Sequence, residues 1–211
     1  MSTCFNLIFD IQDYWHIGNG HEGGAYADAL ALKDKESFPY IPGKSVKGLL
    51  REAFSIAEQN KWFGDAPTNL TSLLFGDEQR DGVSAQGMLQ VSNAALPEMD
   101  KDDIRKVSGG LSHLYTPLTS TAIDPSSGVA DQGSLRSIEV VVPMVLVAEL
   151  SLNKHHPLLT QYPDITKNFQ QWLHACLNLI THVGGKRHRG LGPVFVSAEK
   201  MTDEMTKEMK A

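Results

Sequence analysis

The sequence predicts an α+β fold, because segments with strand and helix periodicity follow one another in the order strand, helix, strand, strand, helix, strand. In this order two helices pack on one face of an antiparallel sheet, which is a ferredoxin-like (RRM-like) palm. The 211 residues are 41% hydrophobic and 21% charged, a balance typical of globular proteins with one buried core. We therefore predict a single domain over residues 1–211 with long loops.

The first half of the chain contains a predicted strand, a long loop and a helix. Apolar residues alternate from Phe5 to Ile11, which is the period of a strand with one buried face. The glycine-rich segment 17–40 has no periodicity and predicts a loop that is functional rather than idle. After Pro42 the apolar residues recur with helical spacing, so we predict a first helix that extends to about Gln59.

The second half contains two predicted strands, a helix and a final short strand, at 87–95, 138–152, 169–183 and 194–196. The valine-rich strand 138–152 is expected to be broken or bulged near Pro143, which has no N–H to donate. Between the two strands lies a polar stretch with weak patterning. The charged tail after Lys200 is predicted to be a frayed helix or a contact for a neighbouring molecule.

Charge and composition exclude several classes of protein. The formal net charge of −6 argues against a surface that is basic all round, so any nucleic-acid site must be local. Asp10 and Asp13 interrupt the N-terminal apolar run, and no signal peptide or membrane span is recognised. We expect a cytoplasmic protein without a membrane partner. Cys4 and Cys176 lack CxxC spacing, so neither a disulfide framework nor a cysteine zinc site is predicted.

Two short segments, IPGKSVKG at 41–48 and GGKRHRGLG at 184–192, combine glycines with cations. Glycines allow close backbone approach and cations suit phosphate, so both segments together predict one polyanion site, with nucleic acid as the leading ligand. Helix N-terminal amides would add to the attraction. The alternative is a solvated helix face and an ordinary turn after a helix. The candidate RNA-binding residues are Lys44, Ser45, Lys47, Arg51, Gly184, Gly185, Lys186, Arg187, His188, Arg189 and Gly190.

Asp28 lies in the glycine-rich loop shortly before the first basic segment, with His16, His21, Glu22 and Asp34 nearby in the sequence. A carboxylate beside a phosphate-binding surface can hold a divalent metal that aligns and activates a scissile phosphodiester. The alternative is that Asp28 is a solvated or turn-forming residue, which is the usual role of an aspartate in a loop.

Four segments of the chain resemble the RAMP superfamily, and specifically the repeating backbone (Cas seven-type) subunit of type III CRISPR effector complexes. They are IPGKSVKGLLREAF at 41–54, LFGD at 74–77, TAIDPSSGVADQGSLRSIEVV at 121–141 and GGKRHRGLGPV at 184–194. The resemblance implies a palm with an inserted thumb at roughly 97–137, whose hairpin spans about 119–137. It also implies that Arg136 contacts RNA and that several copies stack along a guide RNA.

The same resemblance implies a catalytic role for Asp28, because the family carries its cleaving aspartate a short way before the IPG motif. Cutting of bound target RNA then requires Mg²⁺ or Mn²⁺ at Asp28 and uses attack by the adjacent 2′-hydroxyl. The implied partners are guide RNA, target RNA, copies of the same chain and other type III effector subunits.

Three other functions remain open from the sequence. The first is a purely structural RAMP subunit that binds guide RNA without cutting. The second is a stand-alone, metal-independent RNA-processing endonuclease that uses His16 or His21 as general acid or base. The third, a metabolic metalloenzyme built on His16, His21 and Asp28, is disfavoured because these residues lack a recognised ligand spacing.

Overall fold

A computed structural model describes residues 4–24, 26–77 and 86–201. The predicted helix or contact in the charged tail lies outside the described residues from position 202 onward. The described elements are β1 Cys4–Ile11, α1 Gly43–Gln59, α2 Leu70–Phe75, β2 Leu89–Val91, α3 Glu98–Lys106, β3 Tyr115–Ser120, β4 Arg136–Val141, β5 Met144–Leu152, α4 Asp164–Leu177 and β6 Val194–Lys200. The described ranges also contain short 3₁₀ turns at Ser112–Leu114, Pro157–Thr160 and Arg187–Arg189.

The main sheet has four strands in the order β2, β5, β1, β6, and each neighbouring pair is antiparallel. This strand order, with α1 between β1 and β2 and α4 between β5 and β6, is that of a ferredoxin-like palm. The predicted fold class is therefore confirmed. Alternation sets the buried face, because Phe9 lies opposite Leu146 and Val196 and these three side chains point into the core.

Helices α1 and α4 cover the inner face of this sheet. Phe54 of α1 stacks on Phe169 of α4 with ring centroids 6.4 Å apart, and Phe5 of β1 meets the same ring edge-on at 5.8 Å. Full burial of one such side chain stabilises the fold by about 1.5–3 kcal/mol. This packing fixes α1, which carries the first glycine and cation segment, relative to the sheet. None of the helices in the described ranges is long and apolar enough to cross a membrane.

Strands β3 and β4 form a separate two-stranded hairpin inserted between β2 and β5. Its register extends from Tyr115 opposite Val141 to Ser120 opposite Arg136, and most of the connecting segment 121–135 is exposed. The valine-rich run predicted as one strand divides at Pro143 into β4 and β5, which belong to different sheets. The predicted break is therefore present, but it separates the hairpin from the palm.

Several element boundaries differ from the prediction. Helix α4 ends at Leu177, although buried Ile180 and Val183 continue its apolar spacing. Ile180 N–H still donates to Leu177 O in the turn that ends the helix, whereas Val183 lies in an extended segment where its N–H donates to Gly192 O at 2.8 Å. Strand β2 is only three residues long, and helices α2 and α3 were not predicted because their sequences carry little periodicity.

The glycine-rich loop folds back on itself and onto the hairpin. Isolated bridges join Gly18 to Ala31, and Ala29 to Ile138 of β4. The second of these bridges is parallel, so the segment that follows Asp28 lies beside β4 like a further short strand. The loop that contains Asp28 is consequently attached to β4 at the outer end of the hairpin ladder, close to the connecting segment 121–135.

Candidate nucleic-acid interface

A pocket of about 340 Å³ lies between α1 and the second glycine and cation segment. Helix α1 supplies one wall, and Gly184, Gly185 and Arg187 supply the opposite wall. The structure thus brings together the two segments that the sequence predicted to share one site. The α1 wall is formed by Ser45, Gly48, Leu49 and Glu52, which share one helix face because they are spaced by three and four residues.

Three cations of α1 lie on the helix face next to this wall. Lys44 and Arg51 are exposed, whereas Lys47 is half-buried. Burial, and then the nearby charge of Arg51, lower the pKa of Lys47 from its ordinary value. Because Arg51 contributes to this lowering, an anion bound between the two cations would offset their mutual repulsion.

The second segment forms a single turn that displays its side chains to solvent. Arg187–Arg189 is a 3₁₀ turn between Lys186, with φ 55°, and Gly190, with φ 84°. Arg189 N–H donates to Lys186 O at 2.8 Å, and the side chains from 186 to 189 are all exposed. Arg187 Nη1 lies 3.7 Å from Glu52 Oε2 of α1, an exposed ion pair that links the two walls and adds little stability.

Two of the glycines are required by the fold itself. A Cβ at Gly184, where φ is 81°, would lie 2.4 Å from His16 O, and one at Gly43 would lie 2.7 Å from Val91 O. These glycines therefore allow close approach to the protein's own backbone. The helix N-terminal amide of Gly43 also has a protein partner, because it donates to Asn93 Oδ1 at 2.8 Å. This amide is therefore already satisfied within the protein, and the contribution of the other helix N-terminal amides to phosphate binding stays a prediction.

Gly48 differs from these glycines. It lies inside α1, and no neighbouring atom is within 4 Å of the position that a Cβ would take. Glycine in the interior of a helix destabilises it by roughly 0.5–1 kcal/mol relative to alanine. Because packing does not require this glycine and its surface lines the pocket, the open space that it leaves belongs to the candidate site.

Asp28 is exposed and is held at the outer end of the hairpin ladder, next to the connecting segment 121–135. Its N–H donates to Ser137 O at 2.7 Å, and its Oδ2 accepts from Ser137 N–H at 2.7 Å. Arg136, also exposed, is the residue before Ser137, so the candidate catalytic residue and the candidate thumb cation share one location. Within the described part of the chain, no group of three or more His, Cys, Asp or Glu residues is placed to hold a metal ion.

His16 and Glu139 connect the Asp28 loop to the pocket. His16 O accepts from Gly185 N–H at 2.7 Å, and His16 Nδ1 lies 2.7 Å from Glu139 O. Glu139 N–H in turn donates to Ala29 O at 2.9 Å. His16 is only 8% exposed. Its burial and this hydrogen bond give it a structural role and argue against its use as general acid or base.

Four residues of this arrangement were not predicted from the sequence. Gly48 and Glu52 lie three and seven residues after Ser45, so the helical spacing of the first basic segment could have identified both. Glu139 is an acidic residue inside the apolar run Ile138 to Val142, which is itself an unusual signal. Ser137 acts through its backbone, for which side-chain patterns give no signal.

Comparison with known proteins identifies the family. The sequence model of the RAMP superfamily matches residues 9–194, and the chain belongs to this superfamily. The resemblance seen in the sequence motifs is thereby confirmed. No curated protein sequence matches the chain.

Solved structures with the same fold come from type III-B complexes. A chain in the cryo-EM structure of type III-B Cmr-beta bound to cognate target RNA superposes with a TM-score of 0.65 at 12% identity, over 92% of this chain and 96% of that chain. A chain of the type III-B Cmr-beta apo state gives a TM-score of 0.63 with the same identity and coverage. At this identity the similarity shows a common fold.

Proposed function

We propose that the protein is a guide-RNA-binding backbone subunit of a type III CRISPR interference complex that cuts bound target RNA at Asp28. The observation that carries this proposal is the pocket between α1 and the 184–187 segment, bordered by cations and connected through His16 and Glu139 to an exposed aspartate. The RAMP family match and the similarity to type III-B complex chains, one of them bound to target RNA, support it. Copies of itself and other effector subunits would be its protein partners, in the cytoplasm.

RNA would follow α1 and the glycine segment instead of the open face of the sheet. Many RRM-type modules stack bases on aromatic residues of the central strands. Here the outward positions of β1 and β5 carry no aromatic residue, and Asn6 has Glu149 and Glu199 as its neighbours across the sheet. These carboxylates account for part of the net charge of −6 and disfavour phosphate on this face.

The proposed cut assigns separate tasks to the atoms around Asp28 and Ser137. Ser137 N–H orients the Asp28 carboxylate through Oδ2, and Oδ1 has no hydrogen bond from the described residues. Mg²⁺ is commonly bound by one or two carboxylates together with substrate phosphates, so a single exposed carboxylate fits such an ion once RNA is present. The ion would stabilise charge at the scissile phosphate. Arg136 would hold a neighbouring phosphate as a permanent cation.

Removal of divalent metal is expected to stop cleavage without releasing the target. In the complex assembled with guide RNA, EDTA should abolish cutting of labelled target RNA, and excess Mg²⁺ or Mn²⁺ should restore it. Gel-shift of the same target should show little change in affinity. Cutting that continues in EDTA would instead indicate the metal-independent endonuclease, and binding without cutting under all conditions would indicate a structural subunit.

Gly48→Ala is expected to increase stability and weaken RNA binding. The methyl group should raise the free energy of unfolding by roughly 0.5–1 kcal/mol, since helix propensity improves and no atom obstructs it. The same methyl narrows the pocket beside Ser45 and Gly185. Urea denaturation and titration with labelled guide-length RNA measure the two effects. Gln59→Ala, in the last turn of α1, is the matched control for RNA affinity; unchanged affinity in Gly48→Ala would place RNA elsewhere.

A further inference from the structure

Glu139 of β4 is a buried carboxylate whose side chain holds the loop that follows Asp28. Only 3% of the residue is exposed, and its chain neighbours Ile138 and Val140 are buried and apolar. Its Oε2 accepts from Ala31 N–H at 2.9 Å, and its Oε1 accepts from Lys33 Nζ at 3.0 Å. A carboxylate is costly to bury unless it is paired in this way, so these contacts are integral to the site.

Lys33 is itself held by a second element. Its Nζ lies 3.8 Å from the ring centroid of Tyr115 on β3, and the Tyr115 hydroxyl donates to Ser37 O at 2.7 Å. Burial, followed by the charges of Glu139 and Asp34, raises the pKa of Tyr115, which keeps this hydroxyl protonated. The ion pair of Glu139 therefore connects the loop to both strands of the hairpin.

The loop is attached to β4 by two sets of contacts. Backbone bonds hold Asp28 at Ser137 and Ala29 at Glu139 N–H. The Glu139 side chain adds the contacts at Ala31 and Lys33, three and five residues after Asp28. Without that side chain, the backbone bonds next to Asp28 and a 3.4 Å bond from Ser137 Oγ to Tyr26 O would remain to hold the loop on β4, and the segment after Ala29 would be held through the loop's own bonds.

We propose that Glu139 is the positioning residue for Asp28. By anchoring Ala31 and Lys33 to β4, it fixes the position of the Asp28 carboxylate relative to bound target RNA. This inference rests on the proposed cleavage at Asp28. Because Glu139 is buried, it cannot contact RNA, and it acts entirely through the loop.

The test compares Glu139→Leu, Glu139→Asp and Glu139→Gln in the assembled guide complex, with Glu149→Leu on the exposed sheet face as the control. Hydrogen exchange of the Asp28 and Ala31 amides reports loop attachment, and single-turnover cutting of saturating target reports chemistry. Leucine removes both acceptors, so exchange at both amides should accelerate and cutting should slow by about 100-fold, the effect of a misplacement near 1 Å. Target affinity should change by less than about threefold, because Glu139 does not touch RNA.

The variants Glu139→Asp and Glu139→Gln show whether the length or the charge of the Glu139 side chain holds the loop. Glutamine keeps one acceptor at the same reach for Ala31 N–H, and its NH2 group then faces Lys33 Nζ, which is partly exposed and can turn to solvent. Its loss of rate should therefore stay within about tenfold, the scale of one hydrogen bond. Aspartate keeps the charge but is shorter. In the aspartate variant the Asp28 and Ala31 amides should therefore exchange faster, and target RNA should be cut more slowly, than in the glutamine variant. The difference between the aspartate and glutamine variants tests the role of Glu139 even if the leucine variant fails to assemble.

Three results would overturn the inference. They are unchanged amide exchange in the leucine and aspartate variants, faster exchange without slower cutting, and an aspartate variant that performs as well as glutamine. A wild-type complex that binds target but never cuts would refute the proposed cleavage itself. Exchange at Ala31 would then still show whether Glu139 holds the loop.

Discussion

Asp28→Ala is expected to abolish target cleavage while leaving target binding nearly unchanged. Loss of one group that stabilises developing charge at a reaction centre slows chemistry by about 100- to 1,000-fold. Target binding should persist because Asp28 is exposed beside the outer end of the hairpin ladder, whereas the cations beside the pocket are on α1 and the 184–190 segment. Single-turnover cutting and gel-shift on the same complex measure both quantities.

Asp28→Asn is the control that separates chemistry from loop structure. The amide oxygen of asparagine can still accept from Ser137 N–H, so the loop keeps its attachment to β4. The negative charge is lost, and with it the affinity for a divalent cation. The asparagine variant should be as inactive as the alanine variant. Normal cutting by asparagine, or loss of target binding by alanine, would refute the assignment of Asp28.

The double variant Lys186→Ala, Arg189→Ala is expected to weaken guide RNA binding at least about tenfold, since hydrogen bonds to charged groups are the strong ones. Both side chains are exposed on the turn beside the pocket, and neither forms an ion pair with another described residue. The dependence of log affinity on log salt concentration should also become shallower by about 0.7 for each phosphate that the variant no longer neutralises. Titrations of labelled guide-length RNA over a series of salt concentrations measure the affinity and the slope together.

Lys167→Ala is the control for charge removal and is matched in charge to each of the single variants Lys186→Ala and Arg189→Ala. Lys167 Nζ lies 3.0 Å from Asp164 in the first turn of α4, at the opposite end of that helix from the glycine segment. Its loss changes the net charge by one unit but removes no proposed RNA contact. An equal loss of affinity in the control would show that RNA responds to overall charge and not to this turn.

The palm could be predicted from sequence because its signals are periodic. Alternation from Phe5 to Ile11 and helical spacing after Pro42 each reflect a surface with one buried face, and both elements occur where expected. The end of α4 could not be predicted in this way. Ile180 and Val183 are buried at helical spacing, yet Ile180 lies in the turn that ends the helix and Val183 in an extended segment that pairs with residues 192–194.

The two walls of the candidate site could be recognised in the sequence as glycine and cation segments. The contacts that require these glycines and that connect the walls to Asp28 could not. Gly184 is needed because His16 O lies against it, a contact between residues far apart in sequence. The connection from the pocket to Asp28 depends on backbone groups of His16 and Glu139, which any residue possesses. Side-chain patterns indicated the cations and Asp28 as candidates. They carry no information on the backbone hydrogen bonds that hold these residues in place.

The most direct test is extraction of nucleic acid from the protein purified together with co-expressed type III subunits. The proposed function predicts small RNA of discrete, guide-like length, retained in the wild type and reduced in the Lys186→Ala, Arg189→Ala variant. An RNA-free protein that does not join the other subunits would contradict the account. It would leave the pocket between α1 and the 184–187 segment in need of a different ligand.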